Sequence, residues 1–290
     1  MRSDNQWQAY EENQQLTAET VETSFVEAGG VTFAFRTFGA KSVVPLVMVQ
    51  RFRGTLDDWD PALINRLAQD RTIIMFDNAG VGLSSGEAPD TIEGMAEYAI
   101  AFIEALGLTQ VDLLGFSMGG YVAQQVTVER PDLVRRLILA GTGSGAAEGA
   151  QKGEAEVFKV AFKPVNEPED FLFLFFDSTE TSRAAGEEYL LRLQRRTVSR
   201  APLVKAESVK AQIHAIVAWG TQSAFERLVD LKQPVLVANG KNDIMIPTFN
   251  SYLLFQQIPN AELALYPDSG HGFLFQYAEA FSRRISEFLK

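Results

Sequence analysis

The stretch from Val111 to Gln124, V-D-L-L-G-F-S-M-G-G-Y-V-A-Q, constrains this chain more than any other. Val111 to Leu114 is a short apolar run of the kind that is buried as a strand. Gly115-Phe116-Ser117-Met118-Gly119 interrupts it, and a helical pattern resumes from Gly120. A serine held where a strand turns sharply into a helix sits in strained backbone, and glycines two residues to either side let the helix and neighbouring strands come close. The Ser117 hydroxyl then projects at a helix head, where free N–H groups and the positive dipole end can meet a developing negative oxygen. The five-residue pattern alone also suits an ordinary turn. The strand before it and the helix after it make Ser117 a candidate nucleophile.

The rest of the chain supplies a rhythm around that turn. Ser24 to Gly39 alternates apolar and polar residues on both sides of Gly29-Gly30, which predicts a β-hairpin. Pro45 to Gln50, Arg71 to Phe76, Leu137 to Ala140, Pro234 to Ala238 and Ala261 to Tyr266 are further strand candidates, mostly apolar enough to be buried on both faces. Helical spacing is expected over Leu56 to Gln69, with Trp59 and Leu63 towards the core. It recurs over Thr91 to Leu106, Pro247 to Gln257 and Tyr277 to Lys290. Between Ser144 and Phe225 no buried strand appears, only helical patterns, an aromatic cluster over 171–176 and a basic amphipathic segment from Tyr189 to Arg200. Such a stretch is too long for a loop and reads as a helical insertion.

These patterns predict an α/β fold, a mostly parallel, doubly wound eight-stranded sheet with an inserted helical cap. The expected division is an N-terminal extension over 1–22, a core over 23–143 and 226–290, and a cap over 144–225. In such sheets reactive groups gather at the carboxyl ends of strands.

Composition narrows the chemistry. The absence of cysteine excludes disulfides, thiolate metal sites and cysteine nucleophiles. No run approaches the ~20 apolar residues of a membrane span, and the first residues lack the apolar centre of a secretory signal. A cytoplasmic location is therefore expected. A net charge of −11 disfavours nucleic acid and anionic membranes as partners. The expected partner is a small-molecule substrate.

A serine hydroxyl needs a base within hydrogen-bond reach, and only His214 and His271 exist. His271 lies in D-S-G-H-G-F directly after the last strand, where flanking glycines can present an imidazole at the top of the sheet. His214 lies in a helical pattern of the insertion and is expected to be packed or pocket-lining. Neither has the spacing of a metal ligand pair, and no metal or cofactor is expected. The base needs a carboxylate to fix its tautomer. Asp243, in N-G-K-N-D, follows a buried strand and is the candidate, although it also suits a helix cap.

At this point the chain resembles the α/β-hydrolase fold superfamily, over nearly its whole length from Ser24. The resemblance is carried by D-W-D-P at 58–61, F-D-N-A-G-V-G-L-S at 76–84, G-F-S-M-G-G at 115–120, and N-G-K-N-D with G-H-G late in the chain. It implies Ser117 as nucleophile, His271 as base and Asp243 as acid, in the order usual for that fold. It also implies a helical cap between the sixth and seventh core strands. Much of the family carries His-Gly after the strand that here ends at Gln50, and the next residue donates a backbone N–H to the oxyanion hole. Here the chain reads Gln50-Arg51-Phe52, so the expected donors are the N–H groups of Phe52 and Met118.

Arg51 and Arg53 would stand near the mouth, either meeting an anionic substrate or pairing with Asp57 and Asp58; the pairing is the favoured expectation. Asp77 is expected to hold its turn. Phe52, Arg51, Trp219 and His214 are candidate substrate contacts, and the aromatics at 171–176 with Phe158, Phe162 and Phe225 could line an apolar pocket. The implied activity is that of a serine hydrolase acting on a small to medium, partly apolar ester or lactone through an acyl-enzyme. The same three groups would equally serve carbon–carbon bond hydrolysis or perhydrolysis, and related scaffolds include non-hydrolytic ligand-binding proteins.

Overall fold

The computed structural model describes residues 16–221 and 224–290. Among these residues eight strands form one sheet: β1 (Ser24–Ala28), β2 (Val31–Gly39), β3 (Leu46–Val49), β4 (Thr72–Phe76), β5 (Val111–Phe116), β6 (Val134–Ala140), β7 (Val235–Gly240) and β8 (Ala261–Tyr266). Their order is β1-β2-β4-β3-β5-β6-β7-β8. The expected hairpin joins β1 to β2, β2 runs antiparallel to β4, and every other neighbour is parallel.

Strands apolar at every position must send alternate residues to opposite faces. In β3, Leu46 and Met48 enter one core and Val47 and Val49 the other. The helices divide accordingly. Helices α1 (Pro61–Leu67), α2 (Ile92–Ala105) and α3 (Met118–Glu129) precede β6. Next come α4 (Ala155–Ala161), α5 (Pro168–Phe175), α6 (Glu180–Leu193) and α7 (Ala206–Trp219), all between β6 and β7. Then follow α8 (Phe249–Gln257), α9 (Phe273–Gln276) and α10 (Ala278–Phe288). Leu63 and Ile64 of α1 and Phe281 and Ile285 of α10 fill the face of Leu46; Phe102 of α2, Val122 of α3 and Leu254 of α8 fill the face of Val47. Each such side chain, fully buried, is worth about 1.5–3 kcal/mol relative to exposure.

Two expectations change. The helix expected over Leu56 to Gln69 is broken into a single 3-10 turn, Leu56–Asp58, and α1. Proline pushes the residue before it into extended backbone, and Asp60 accordingly sits at φ −64, ψ 119, with its carboxylate accepting the Ala62 N–H at 2.9 Å. The N-terminal extension is not all outside the core. Residues 1–15 lie outside the described residues, but Ala18 and Val21 are buried in the Leu46 face. The Ala18 N–H donates to Asn65 Oδ1 at 2.7 Å and its carbonyl accepts from Arg196 at 3.1 Å. The apolar side chains at 18 and 21 attach a segment that its polar neighbours hide.

The order β4-β3-β5 reverses the direction of winding at β3, with Val49 beside Gly115. Loops after these two strands therefore diverge on either side of a crevice at their carboxyl ends, where such sheets bind ligands.

Candidate active site

Ser117 opens that crevice. It sits at φ 58, ψ −122 as the residue before α3, a conformation that costs on the order of 1–3 kcal/mol and persists only where the surroundings impose it. Three bonds do so: Ser117 N–H donates to Ala140 O at 2.9 Å, and Ser117 O accepts from Gly120 N–H and the Thr142 hydroxyl at 2.8 Å each. The flanking glycines are sterically required. A Cβ at 115 would lie 2.2 Å from Gly119 O, and one at 119 would lie 2.2 Å from Val49 O.

His271 and Asp243 come from the loops after β8 and β7. The imidazole is fully buried and its Nδ1 lies 2.7 Å from Asp243 Oδ2. The other carboxylate oxygen accepts the N–H groups of Met245 and Ile246 at 2.8 and 2.9 Å. With Nδ1–H donated to the carboxylate, Nε2 carries the lone pair. That nitrogen is buried and has no hydrogen-bond partner among the described residues, the Ser117 hydroxyl included. The ring packs on Phe116, the neighbour of Ser117, with centroids 5.0 Å apart, and a Cβ at Gly141 would stand 3.4 Å from it. The loop around it is held from the insertion: Gly272 N–H donates to Phe175 O at 2.6 Å, and the Phe175 ring stands edge-on to His271.

The loop after β3 has its own brace. Gln50 stands directly after β3, and its Oε1 accepts Arg51 N–H while its Nε2 donates to Thr55 O, at 2.9 and 3.2 Å. Among the described residues, neither the Phe52 nor the Met118 N–H makes a backbone bond of a loop, turn or cap. Both residues line a cavity of ≈ 650 Å³ that also takes in Ser117. A second crevice, of ≈ 10 Å³ between Asn78, Tyr98 and Gln212, is water-sized and reaches none of these groups.

The candidate contacts separate. Phe52, Phe158, Phe162 and Trp219 line the cavity. Arg51 does not: it bonds Asp58 Oδ1 at 2.7 Å and Phe52 O at 2.9 Å, with its guanidinium over the rings of Phe171 and Phe175. Arg53 turns to the insertion, bonding the carbonyls of Lys163 and Pro164 and Asn166 Oδ1. The expected pairing with acids thus holds for Arg51 with Asp58, whereas Asp57 is taken by Arg36 at 2.7 Å and Arg196 at 3.6 Å. His214 is neither packed nor pocket-lining; its side chain is 80% exposed and faces Asp90 at 3.8 Å. Its helix presents Ile216 and Trp219 to the cavity and turns residue 214 to solvent. Of the aromatic cluster, Phe175 and Phe176 are buried core and the partly buried Phe171 packs against them, around Tyr189 and His271, while Phe225 lies off the cavity.

Sequence reasoning missed Tyr121, Met245, Ile246 and Asn250, all on the cavity wall. Tyr121 was findable, because residues four apart on a helix share a face and Ser117 heads this one. Asp77 holds its turn, accepting Leu56 N–H at 2.7 Å and Leu83 N–H at 2.8 Å. Burial pushes its carboxyl up to about 7 against the pull of those two bonds and of Arg36. Among the described residues no cluster of three or more His, Asp or Glu side chains could hold a metal, and no helix is long and apolar enough to cross a membrane.

Known proteins share this fold. Residues 44–277 match the family model for the alpha/beta hydrolase fold. An alpha/beta hydrolase fold protein from Chitinophaga pinensis is 40% identical, with a TM-score of 0.86 over 95% of this chain and 99% of that one. The poly(3-hydroxyalkanoate) depolymerase of Ectopseudomonas oleovorans is 29% identical over 253 residues, 87% of this chain and 86% of its own length. The 2-hydroxy-6-oxo-6-phenylhexa-2,4-dienoate hydrolase of Burkholderia cepacia is 28% identical over 221 residues, 75% of this chain and 76% of its own. With the eight-stranded, mostly parallel sheet and the strained turn at Ser117, the match over most of the chain makes this protein a member of the alpha/beta hydrolase fold family.

Proposed function

We propose that this hydrolase cleaves a partly apolar carboxylic ester or lactone through a covalent acyl-enzyme on Ser117. The observation that carries the reading is the His271 ring, tied at Nδ1 to Asp243, with Nε2 unspent, packed on Phe116 directly before Ser117. In substrate-free enzymes the serine–histidine bond is often long and tightens on binding. Ser117 Oγ attacks the carbonyl carbon as its proton passes to Nε2, and Asp243 stabilises the imidazolium. The N–H groups of Phe52 and Met118 receive the oxyanion, each worth about 3–4 kcal/mol by analogy with oxyanion-hole deletions. Collapse breaks the ester bond, and the alcohol leaves with the proton from Nε2. Water then repeats the sequence on the acyl-enzyme, delivering the acid and restoring Ser117. Residues 144–225 act as the lid, with Phe158, Phe162 and Trp219 forming the apolar roof and wall.

A carbon–carbon bond hydrolase is the second reading, supported by the likeness to the Burkholderia cepacia hydrolase of a dienoate. One set of assays separates these from a binding protein. A fluorophosphonate probe is expected to label wild type and not Ser117→Ala, and p-nitrophenyl esters of graded chain length are expected to turn over. Asp243→Asn should lower kcat about 10⁴-fold through the wrong tautomer while the protein stays folded. Wild type that is unlabelled and inert to esters but active on a vinylogous diketone would move the assignment to carbon–carbon cleavage. Inertness to both would leave a binding protein.

A further inference from the structure

The polar groups on the cavity wall are unevenly engaged. Asn250 is fully committed, its Oδ1 accepting from Gln151 N–H and its Nδ2 donating to Gln151 O, both at 2.8 Å. Tyr121 is different. Its ring stacks on Trp219, with centroids 5.6 Å apart and planes 25° apart, so it cannot swing aside without breaking the stack. Its hydroxyl makes no hydrogen bond among the described residues, and a Cβ at Gly143 would lie 3.8 Å from it, on the wall beside Ile246 and Asn250. The Trp219 indole N–H next to it is buried without an acceptor. At the mouth, Lys152 forms no ion pair among the described residues. These unspent groups can all donate, in a lining that is otherwise chiefly apolar.

Tyr121 stands one helical turn beyond Ser117 on the same face, about 6 Å along the axis. We propose that the acyl part of the substrate carries a second oxygen acceptor, a keto or ester carbonyl a few bonds from the scissile one, and that Tyr121 donates its hydroxyl to it. This rests on the ester-hydrolase reading given above. Burial, and then the negative charge of Asp243, hold the Tyr121 phenol well above its ordinary range, so it remains a donor throughout the working pH. A plain alkyl chain would dry the hydroxyl without giving it a partner, and sites built to bond an oxygen discriminate against analogues that lack it.

The test compares p-nitrophenyl 5-oxohexanoate with p-nitrophenyl hexanoate, each kcat/KM divided by the rate of hydroxide cleavage of the same ester. The extra carbonyl stays on Ser117 through both chemical steps. Wild type should favour the oxo ester about three- to tenfold, the scale of one hydrogen bond, and Tyr121→Phe should bring the ratio close to one. As a check that needs no variant, 5-oxohexanoate should inhibit wild type more tightly than hexanoate by a similar factor. Equal ratios in wild type and Tyr121→Phe, or equal inhibition by the two acids, would overturn the role of Tyr121 while leaving the hydrolase intact. Wild type inert to both esters would overturn the hydrolase reading, and this proposal with it.

Discussion

The two halves of the helical insertion are attached by different chemistry. The half formed by α5, α6 and the loop after them is fixed by ions and stacked rings. Arg192 forks onto Asp60 with bonds of 2.8 and 2.7 Å, and Asp60 is fully buried. Tyr189 bonds Asp58 O at 2.9 Å and stacks on Phe275 at 4.2 Å. Asp57 joins buried Arg36 to the loop, accepting Ala201 N–H at 2.6 Å. The half formed by α4 and α7 borders the cavity and is held by fewer contacts, with no buried ion pair among the described residues; Arg53 bonds the carbonyls of Lys163 and Pro164 and Asn166 Oδ1 just after α4. Ser208 donates to Gly80 O at 2.6 Å, Gln212 accepts Arg53 N–H at 2.9 Å, and Phe162 meets Phe52 edge-on at 5.8 Å. The fixed half touches His271; the other borders the cavity. Removing one partner of a buried ion pair costs far more than trimming a half-buried ring, so His271 is held firmly while the cavity can change with little penalty.

Breaking the fixed half should have the largest effect. Asp60→Ala leaves Arg192 without its carboxylate and removes the cap of α1, and is expected to lower unfolding free energy by about 3–5 kcal/mol in a urea titration. An effect below about 1 kcal/mol would show that the clamp is not what fastens α6.

A second probe lies beneath the same network, where Asp77 has Arg36 and Asp57 as electrostatic neighbours. Because its folded carboxyl is raised to about 7, the folded protein holds this proton more tightly than the unfolded chain. The stabilisation is therefore full below about pH 4, where unfolded aspartate is also protonated, and is lost as pH rises through about 7. Urea midpoints should fall between pH 5 and 8, and Asp77→Asn should flatten that slope even if it weakens the turn. A slope unchanged by the substitution would assign the pH dependence to another group.

In the cavity half the effects should be smaller in stability and larger in selectivity. Phe162→Ala is expected to cost about 1–2 kcal/mol, less than a fully buried phenylalanine. It should also shift the best p-nitrophenyl ester to a longer chain, with kcat/KM for butanoate falling about tenfold. His214→Ala, on the solvent side of α7, should stay within about 0.5 kcal/mol and within twofold in kcat/KM. A shift of chain-length preference from His214→Ala equal to that from Phe162→Ala would erase the distinction between lining and outer face.

How far the molecule can be read without coordinates follows the same division. Apolar runs such as Leu46–Val49 and Val235–Gly240 are unambiguous because both faces are buried, and the turn at 115–119 has steric demands visible in its glycines. Asp243 and His271 lie in short loops directly after strands, so their nearness at 2.7 Å follows from topology. The insertion is harder. Its helices meet core on one side, cavity on another and water on a third, and spacing cannot tell the first two apart. Phe171 and Phe175 therefore resemble Phe158 and Phe162 in sequence while only the latter pair borders the cavity. Arg51 was half legible: its pairing with Asp58 was expected from the neighbouring acids, but a guanidinium lying against the stacked rings of Phe171 and Phe175 leaves no periodic trace.

The bond from Gly272 N–H to Phe175 O has a consequence for anyone who would transplant helical insertions between related scaffolds. A graft must bring a carbonyl to that spot, because the amide it satisfies belongs to the peptide immediately after the imidazole. Shortening the insertion to open the cavity would therefore do more than enlarge the doorway. It would take away a wall stud against which the His271 loop is mounted.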